Sequence, residues 1–170
     1  VGTPIITSHI TIEGEGQQIT AQPNPDPFRV FEVNPSGTLI LNDVTISGGN
    51  DGQGIGSGVL NYAGNLEINQ STFYGNNGAV ASIYGTTSIN QSVLVSNFAE
   101  NINYGSAAFI YNSYFTMNNS SVINNRLEYI PPLIGDSPKT LKQILAGSNL
   151  PPTTIHLVES ESTLTNSTIR

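Results

Sequence analysis

The sequence between Gly64 and Asn97 contains one pattern twice, as Gly64-Asn-Leu-Glu-Ile-Asn-Gln-Ser-Thr-Phe-Tyr-Gly-Asn76 and as Gly85-Thr-Thr-Ser-Ile-Asn-Gln-Ser-Val-Leu-Val-Ser-Asn97. The second copy starts 21 residues after the first. In each copy an alternating run ends at Ile-Asn-Gln-Ser, an apolar stretch follows, and an asparagine closes the unit. Repeat periods of about 20 to 50 residues are typical of solenoids, propellers and arrays.

Looser copies of this pattern extend the repeat in both directions. They begin at Leu39, at Phe115 and at Ser162. Equivalent residues are separated by 27 residues from Asn42 to Asn69, 21 to Asn90, 28 to Asn118 and 47 to Thr165. Variable spacing around constant short strands favours a solenoid, because a loop can lengthen at one corner without disturbing the stacked neighbours. The last and longest step predicts an insertion.

The repeat predicts an all-β fold, a right-handed parallel β-helix of about six coils. Each coil has three short strands, and each strand pairs in parallel with its copy one turn away. The handedness follows from the general preference of parallel crossover connections. Residues 1–170 are then one β-helix domain or a fragment of a longer one. The apolar residues predicted to lie inside are Ile10, Ile12, Leu39, Leu41, Ile46, Leu66, Ile68, Phe73, Ile89, Leu94, Phe115 and Met117.

Asparagines recur at two corners of every predicted coil. An amide side chain can satisfy a turn and can also bond the equivalent amide of the next coil, so aligned asparagines form a ladder. We interpret these residues as structural. The predicted ladder positions are Asn42, Asn69, Asn90 and Asn118 at one corner and Asn76, Asn97 and Asn125 at the other.

The composition narrows the range of functions. Only 10% of the residues are charged, the net charge is −7, and there are five Lys and Arg residues. This balance argues against a nucleic-acid partner, since binding to phosphates requires clustered basic residues. No run approaches the roughly 18 to 20 apolar residues of a membrane span. The chain has no cysteine, and we predict no cofactor and no metal site.

Residues 127–152 interrupt the repeat. Within them, Ser137-Pro138 followed by apolar Leu141, Ile144 and Leu145 and by Gly147 predicts a short helix over about 138–146. One interpretation is that this insertion packs on the outside of the solenoid. The other is that it is an excursion that binds a partner, because loops on rigid scaffolds carry function.

The sequence offers no aligned set of catalytic carboxylates. Glycoside hydrolysis needs two carboxyl groups at a defined separation, but the position of Glu67 is taken by Ser88 in the next copy. We therefore predict no hydrolase or lyase activity. The competing hypothesis is a polysaccharide-degrading β-helix whose site comes from loops 21–27 and 48–58, with Asp26, Asp43 and Asp51.

Single residues elsewhere carry weaker signals. His9 and His156 lack a Ser or Cys partner in a catalytic pattern, and we interpret both as structural or surface residues. Asn50-Asp51-Gly52 is similar to a calcium-binding turn but occurs once, whereas that motif needs repetition across coils. We interpret it as a flexible loop.

Tyrosines are the best candidates for a ligand surface. Tyr84 and Tyr111 precede Gly85 and Asn112 at equivalent turns and could form a short aromatic row that stacks on sugar rings. Asp51 could contribute to the same kind of surface. The alternative is that the tyrosines only fill corner sites.

The repeat resembles right-handed parallel β-helix proteins of the pectate-lyase-like superfamily, and within it the repeats of bacterial polymorphic outer-membrane proteins. Those repeats pair a Gly-Gly-Ala-Ile-like element with Phe-x-x-Asn. Phe73-Tyr-Gly-Asn76 matches the second element, Leu94–Asn97 and Val122–Asn125 match it loosely, and Gly58–Asn61 and Gly78–Ala81 resemble the first. The resemblance covers roughly residues 5–126 and 153–170 and implies an exported bacterial protein, extracellular or on the cell surface, often an adhesin.

From this resemblance we expect a non-catalytic structural or adhesive segment that contacts a surface glycan, a host protein or itself. Val1–Ile6 begins in strand-like sequence and Ser162–Arg170 stops in mid-coil, so both ends are expected to be uncapped. Uncapped strand edges can template the addition of another chain. The segment is then either a fragment or a subunit that stacks end to end.

Overall fold

The computed structural model describes residues 4–22, 28–100, 104–127 and 155–170. Every helix or strand assigned in these ranges is a strand. In chain order they are β1 His9–Glu13, β2 Gln18–Thr20, β3 Phe31–Val33, β4 Thr38–Asn42, β5 Thr45–Ser47, β6 Val59–Tyr62, β7 Asn65–Asn69, β8 Thr72–Tyr74, β9 Val80–Ile83, β10 Thr86–Asn90, β11 Val93–Val95, β12 Phe98–Ala99, β13 Ala108–Tyr111, β14 Tyr114–Asn118, β15 Ser121–Ile123, β16 Arg126–Leu127, β17 Ile155–Val158, β18 Glu161–Thr165 and β19 Thr168–Ile169.

The strands form three long parallel sheets, one along each side of the solenoid. The opening sheet has the order β3-β6-β9-β13-β17, the middle sheet β1-β4-β7-β10-β14-β18, and the closing sheet β2-β5-β8-β11-β15-β19. Successive copies are hydrogen-bonded neighbours, so each turn of the chain contributes one strand to each sheet, except that the first coil meets the opening sheet only through a bridge between Ile6 and Val33. This is the right-handed parallel β-helix of about six coils that the repeat predicts.

The register of the middle sheet confirms the sequence alignment. Asn42 lies opposite Asn69, Asn69 opposite Asn90, and Asn90 opposite Asn118. Thr165 occupies the same place in the last coil. A step of 47 residues therefore returns the chain to the same register as a step of 21, because the extra residues leave at a corner.

The core lies inside the coils because alternate residues of each strand point inward. In β4, Leu39 and Leu41 are fully buried while Thr38 and Ile40 are half-buried. Ten of the twelve residues predicted inside are at most 2% exposed, namely Leu39, Leu41, Ile46, Leu66, Ile68, Phe73, Ile89, Leu94, Phe115 and Met117.

Ile10 and Ile12 are the exceptions to that prediction. Ile10 is 39% exposed and Ile12 is half-buried. Both lie in β1, which pairs with β4 on one side and is the first strand of the middle sheet as described. An inward-facing residue needs a coil on each side to lose all contact with water, and β1 has one.

The alternating run Phe28–Val33 forms a strand only over its second half. Only Phe31–Val33 forms β3, and its burial pattern assigns Phe31 and Val33 to the core and leaves Glu32 half-buried. Arg29 lies before the strand and bonds to Glu32 and Asp51. The inward face of this run is therefore the one that carries Phe31 and Val33.

The chain turns between strands through single residues in the left-handed region. At the corner between the middle and closing sheets, φ is 48° at Asp43, 49° at Gln70, 50° at Gln91 and 48° at Asn119. Such a residue costs conformational energy unless it is Gly, Asn or Asp. Repetition of the same turn at the same register keeps successive coils superimposed.

Of the insertion predicted over residues 127–152, the structure describes only Leu127. Leu127 ends β16, which pairs in parallel with β12 at the corner between the closing sheet and the next opening strand. The helix predicted over 138–146 lies outside the described residues, as does Asp26. Within the described ranges, no helix is long and apolar enough to cross a membrane.

Candidate functional site

A fully buried asparagine ladder runs along the corner that follows the closing sheet. The side-chain oxygen of Asn97 accepts hydrogen bonds from the backbone N–H of Asn76 and from its side-chain amide, both at 3.0 Å. Asn125 accepts the same two bonds from Asn97, both at 2.9 Å. The side-chain amides also donate to strand carbonyls, including that of Phe73 at 3.0 Å. The sequence-predicted ladder is therefore present, and each rung fixes the spacing of two coils.

The second ladder lies on the outer side of the middle sheet. The amide of Asn69 donates to Asn42 at 2.9 Å, Asn90 donates to Asn69 at 3.0 Å, and Asn118 donates to Asn90 at 3.1 Å. The amide of Asn42 donates to the carboxylate of Glu13 at 2.7 Å. This ladder is half-buried and has one chain of bonds, so each of its residues contributes less than a residue of the buried ladder.

A serine ladder at the same corner, between the middle and closing sheets, was missed from the sequence. The backbone N–H of Ser71 donates to the hydroxyl of Ser92 at 3.0 Å, and that of Ser92 donates to Ser120 at 3.0 Å. Each hydroxyl also donates to the carbonyl two residues earlier, at 2.7 Å for Ser92. The signal was present as the serine that ends each Ile-Asn-Gln-Ser, but a serine after a turn is too common to stand out.

The outer ladder engages two acidic residues, Glu13 and Glu67. Glu13 accepts from Asn42, and Glu67 accepts from the amide of Asn69 at 2.9 Å. Asp43 is exposed and occupies a left-handed corner position. The structure does not gather these carboxylates into one group, because they lie at different places along their coils.

Asp51 organises the Gly-rich loop instead of facing a ligand. One of its oxygens accepts bonds from the backbone N–H groups of Gln53 and Gly54 and from the hydroxyl of Ser57, at 2.7 to 3.0 Å. The other oxygen meets the guanidinium of Arg29 at 2.7 Å. A carboxylate with this many internal donors has little capacity left for an external one. The loop that we interpreted as flexible is therefore tied to the start of the opening sheet.

Tyrosines from three successive coils form a continuous row where the strands of the opening sheet end, opposite to the Gly-rich loop that holds Asp51. The ring centroids of Tyr62 and Tyr84 are 6.1 Å apart, and those of Tyr84 and Tyr111 are 5.5 Å apart. Both pairs meet edge to face, with interplanar angles of 80° and 83°. Tyr62 is 43% exposed and Tyr84 is 52% exposed. We call these three residues the tyrosine row.

The row is not built from equivalent positions. Tyr62 and Tyr111 both lie opposite Ile83 in the sheet register, at the ends of β6 and β13. Tyr84 follows Ile83 and occupies the corner position of Asn112, with φ of 58°. A bulky aromatic residue in the left-handed region is unusual. In this conformation the ring of Tyr84 lies between those of Tyr62 and Tyr111.

The surroundings of Tyr84 keep its hydroxyl neutral. Side-chain hydrogen bonding with Tyr111 raises the pKa of Tyr84 above its ordinary value of 10.0, and the charges of Tyr111 and Glu159 and slight desolvation act in the same direction. A phenol with a raised pKa stays protonated throughout the physiological range. It can therefore donate a hydrogen bond without introducing charge.

The two histidines have different surroundings. His9 is exposed, and its ring nitrogen lies 3.4 Å from the hydroxyl of Thr11. His156 is 4% exposed, and its ring meets that of Phe109 edge to face at 5.5 Å. Phe109 in turn meets Tyr104 at 5.1 Å. His156 is thus part of an aromatic cluster on the outer face of the opening sheet.

The structure brings Tyr84 and Tyr111 together and leaves Asp51 at the other end of the same strands. In the part of the chain that the structure describes, no three His, Cys, Asp or Glu residues are grouped so as to hold a metal ion. The tyrosine row is therefore the candidate site. No protein-family model matches the chain, and no similar curated protein or solved structure was found.

Proposed function

We propose that this chain is a non-catalytic adhesive segment of an exported bacterial surface protein, and that it binds a glycan through the tyrosine row. The observation that supports this proposal is the row itself, in which aromatic rings from three successive coils meet edge to face, with Tyr62 and Tyr84 exposed and Tyr111 half-buried. Tyrosine offers an apolar ring and a polar tip, which suits a ligand whose surface is both apolar and rich in hydroxyl groups.

The backbone conformation of Tyr84 favours a binding role over simple corner filling. Ala63, Asn112 and Glu159 occupy the same corner with similar φ values, from 45° to 56°. Small or polar residues therefore suffice for the turn, and a tyrosine adds strain there. Strained conformations cluster at functional sites, where the surrounding structure maintains them.

The scaffold beneath the row is rigid, which lowers the entropic cost of binding. The corner that Tyr84 occupies holds a second set of serine bonds, in which the backbone N–H of Gly85 donates to Ser113 at 3.1 Å and that of Ser113 donates to Ser160 at 3.2 Å. A binding surface that is already ordered loses less conformational freedom when a ligand arrives. The rings are then presented at a fixed spacing along the solenoid axis.

A glycan array followed by calorimetry tests the proposal. We expect the chain to bind at least one class of polysaccharide. Tyr84→Ala and Tyr111→Ala should each weaken that binding by about tenfold, the size of one aromatic contact. Tyr74→Ala and Tyr114→Ala are matched controls, because Tyr74 is 53% and Tyr114 62% exposed and neither belongs to the row. A blank array, or equal losses in the controls, would contradict the proposal.

The salt dependence of binding provides an internal check. Stacking on neutral phenols is not coulombic, so the affinity should change little between low and moderate ionic strength. A steep loss of affinity with salt would instead indicate recognition by charged residues elsewhere.

The export and surface location that we propose derive from the resemblance to bacterial surface repeats, and fractionation of the native host tests them.

End-to-end assembly is a second candidate function, supported by the exposure of Ile10. Its counterpart Leu39 in the next coil is fully buried, whereas Ile10 is 39% exposed on β1, the first described strand of the middle sheet. A second copy seated there would continue the sheets and cover this residue. Light scattering should then show growth with concentration, and Ile10→Lys should prevent it. A chain that stays monomeric at high concentration would exclude this assembly.

A further inference from the structure

The residues that usually absorb oxidative damage are scarce in this chain. It contains no cysteine and no tryptophan, and its one methionine, Met117, is fully buried in the core. Oxidation of sulfur side chains depends on their exposure, so Met117 is protected. The exposed side chains that lose an electron most easily are therefore tyrosines.

The tyrosine row places two phenol rings of successive coils in contact with each other. The rings of Tyr84 and Tyr111 lie 5.5 Å apart, the shorter of the two distances in the row. Their edge-to-face contact brings ring carbons of one residue next to the other ring. Tyr84 is 52% exposed, so a diffusing oxidant can reach it and its ring can reorient.

We propose that Tyr84 and Tyr111 form a site of oxidative cross-linking, at which a peroxide-dependent one-electron oxidant produces a dityrosine bond. Each phenol loses one electron and one proton to give a phenoxyl radical. The two radicals join through one ring carbon ortho to each hydroxyl, and the hydrogens on those carbons move to the phenolic oxygens. Two hydrogen atoms leave in total, and they reduce one hydrogen peroxide to two waters.

The product would join successive coils covalently. Tyr84 lies at the corner that follows β9, and Tyr111 ends β13 in the next coil. A bond between them closes a loop of the intervening chain and restricts the unfolded state, as a disulfide does. In a chain without cysteine, this reaction supplies a cross-link that sulfur chemistry cannot. The inference does not depend on glycan binding, since a row that binds no sugar would still couple.

The test treats the dilute protein with a heme peroxidase and hydrogen peroxide. We expect dityrosine fluorescence in a product that remains monomeric on size exclusion and has lost two hydrogens by mass. Peptide mapping should place the bond between Tyr84 and Tyr111. The melting temperature of this product should exceed that of the untreated chain.

Conservative variants separate the site from general tyrosine oxidation. Tyr84→Phe and Tyr111→Phe each retain the ring but cannot form the phenoxyl radical, so both should lose the intramolecular product. Tyr74→Phe and Tyr114→Phe remove exposed tyrosines outside the row and should leave it unchanged. A major product that maps to another pair, or one that forms only between molecules, would overturn the proposal, as would an unchanged yield in Tyr84→Phe.

Discussion

The backbone N–H and the side-chain amide of Asn76 both donate to a single oxygen, Oδ1 of Asn97, at 3.0 Å each. Neither asparagine is exposed to solvent. One side chain thus satisfies two buried donors of the preceding coil. Because the relationship repeats between Asn97 and Asn125, it links the stability of each coil to that of its neighbour.

Asn97→Ala should strongly destabilise the solenoid. The substitution leaves two donors of Asn76 and the carbonyl of Phe73 without their partner inside the core. A buried polar group without a partner costs about 1 to 3 kcal/mol, so we expect a loss of about 3 kcal/mol or more in the free energy of unfolding. Urea denaturation followed by far-UV circular dichroism measures it.

Asn118→Ala is the matched comparison in the outer ladder. Its amide donates one bond to Asn90 at 3.1 Å, and the site is half-buried, so water can replace the lost partner. We expect a loss of about 1 kcal/mol or less. If Asn97→Ala and Asn118→Ala lower the free energy of unfolding by the same amount, burial does not determine how much each ladder contributes to stability.

Asp51→Asn should loosen the Gly-rich loop more than the coils. The variant loses the charge that pairs with Arg29 at 2.7 Å, a contact in which the Asp51 side chain is 12% exposed. Removing one partner of a largely buried pair costs about 1 to 3 kcal/mol. Hydrogen exchange should accelerate first at the amides of Gln53 and Gly54, which bond to the Asp51 carboxylate. Protection in the middle sheet should change little.

Ultraviolet titration should reveal one tyrosine that ionises above the ordinary range. Hydrogen bonding with Tyr111 raises the pKa of Tyr84 from 10.0, so folding favours the protonated phenol. The stability that this interaction contributes is fully present below pH 10.0 and is lost as the pH rises through the pKa of the folded state. Tyr84→Phe should remove the tyrosine that ionises at high pH, and Tyr111→Phe should lower the pKa of Tyr84 toward its ordinary value, because desolvation and the charge of Glu159 still raise it.

Tyr84→Asn should weaken glycan binding with little change in the stability of the fold. Asparagine accepts the left-handed conformation that Tyr84 adopts at φ of 58°, which relieves about 1 kcal/mol of strain. The loss of two edge-to-face ring contacts offsets a similar amount. We expect the free energy of unfolding to stay within about 1 kcal/mol of the original while glycan binding weakens by about tenfold, as in Tyr84→Ala. Retained binding would show that the central ring is not required.

Equivalent positions were predictable because a solenoid repeats one local environment. The alignment of Asn69 and Asn90 follows from the Ile-Asn-Gln-Ser motif, and that of Asn42 from a looser copy; together they place the residues of three strands in register. The inward residues of those strands follow from alternation. Ile10 shows where this reasoning stops, since its strand obeys the pattern but has a neighbouring strand on one side only.

The arrangement of the tyrosine row was decided by the tertiary structure. From the sequence, Tyr84 and Tyr111 were assigned to equivalent turns, yet Tyr111 lies opposite Ile83 and Tyr84 occupies the corner. The rings meet because a left-handed backbone angle redirects one side chain, and no residue pattern encodes that angle at a tyrosine. Tyr62 completes the row through the same geometry.

The sequence by itself determined the coil, its register and the buried asparagine ladder, because these depend on a repeated pattern of apolar and amide side chains. The tertiary structure alone decided the contacts of residues that do not recur from coil to coil. It directs the carboxylate of Asp51 to Arg29 and the ring of Tyr84 to Tyr111. Such contacts join residues that occur once and are distant in the chain, so their partners depend on corner angles and loop paths that periodicity does not contain.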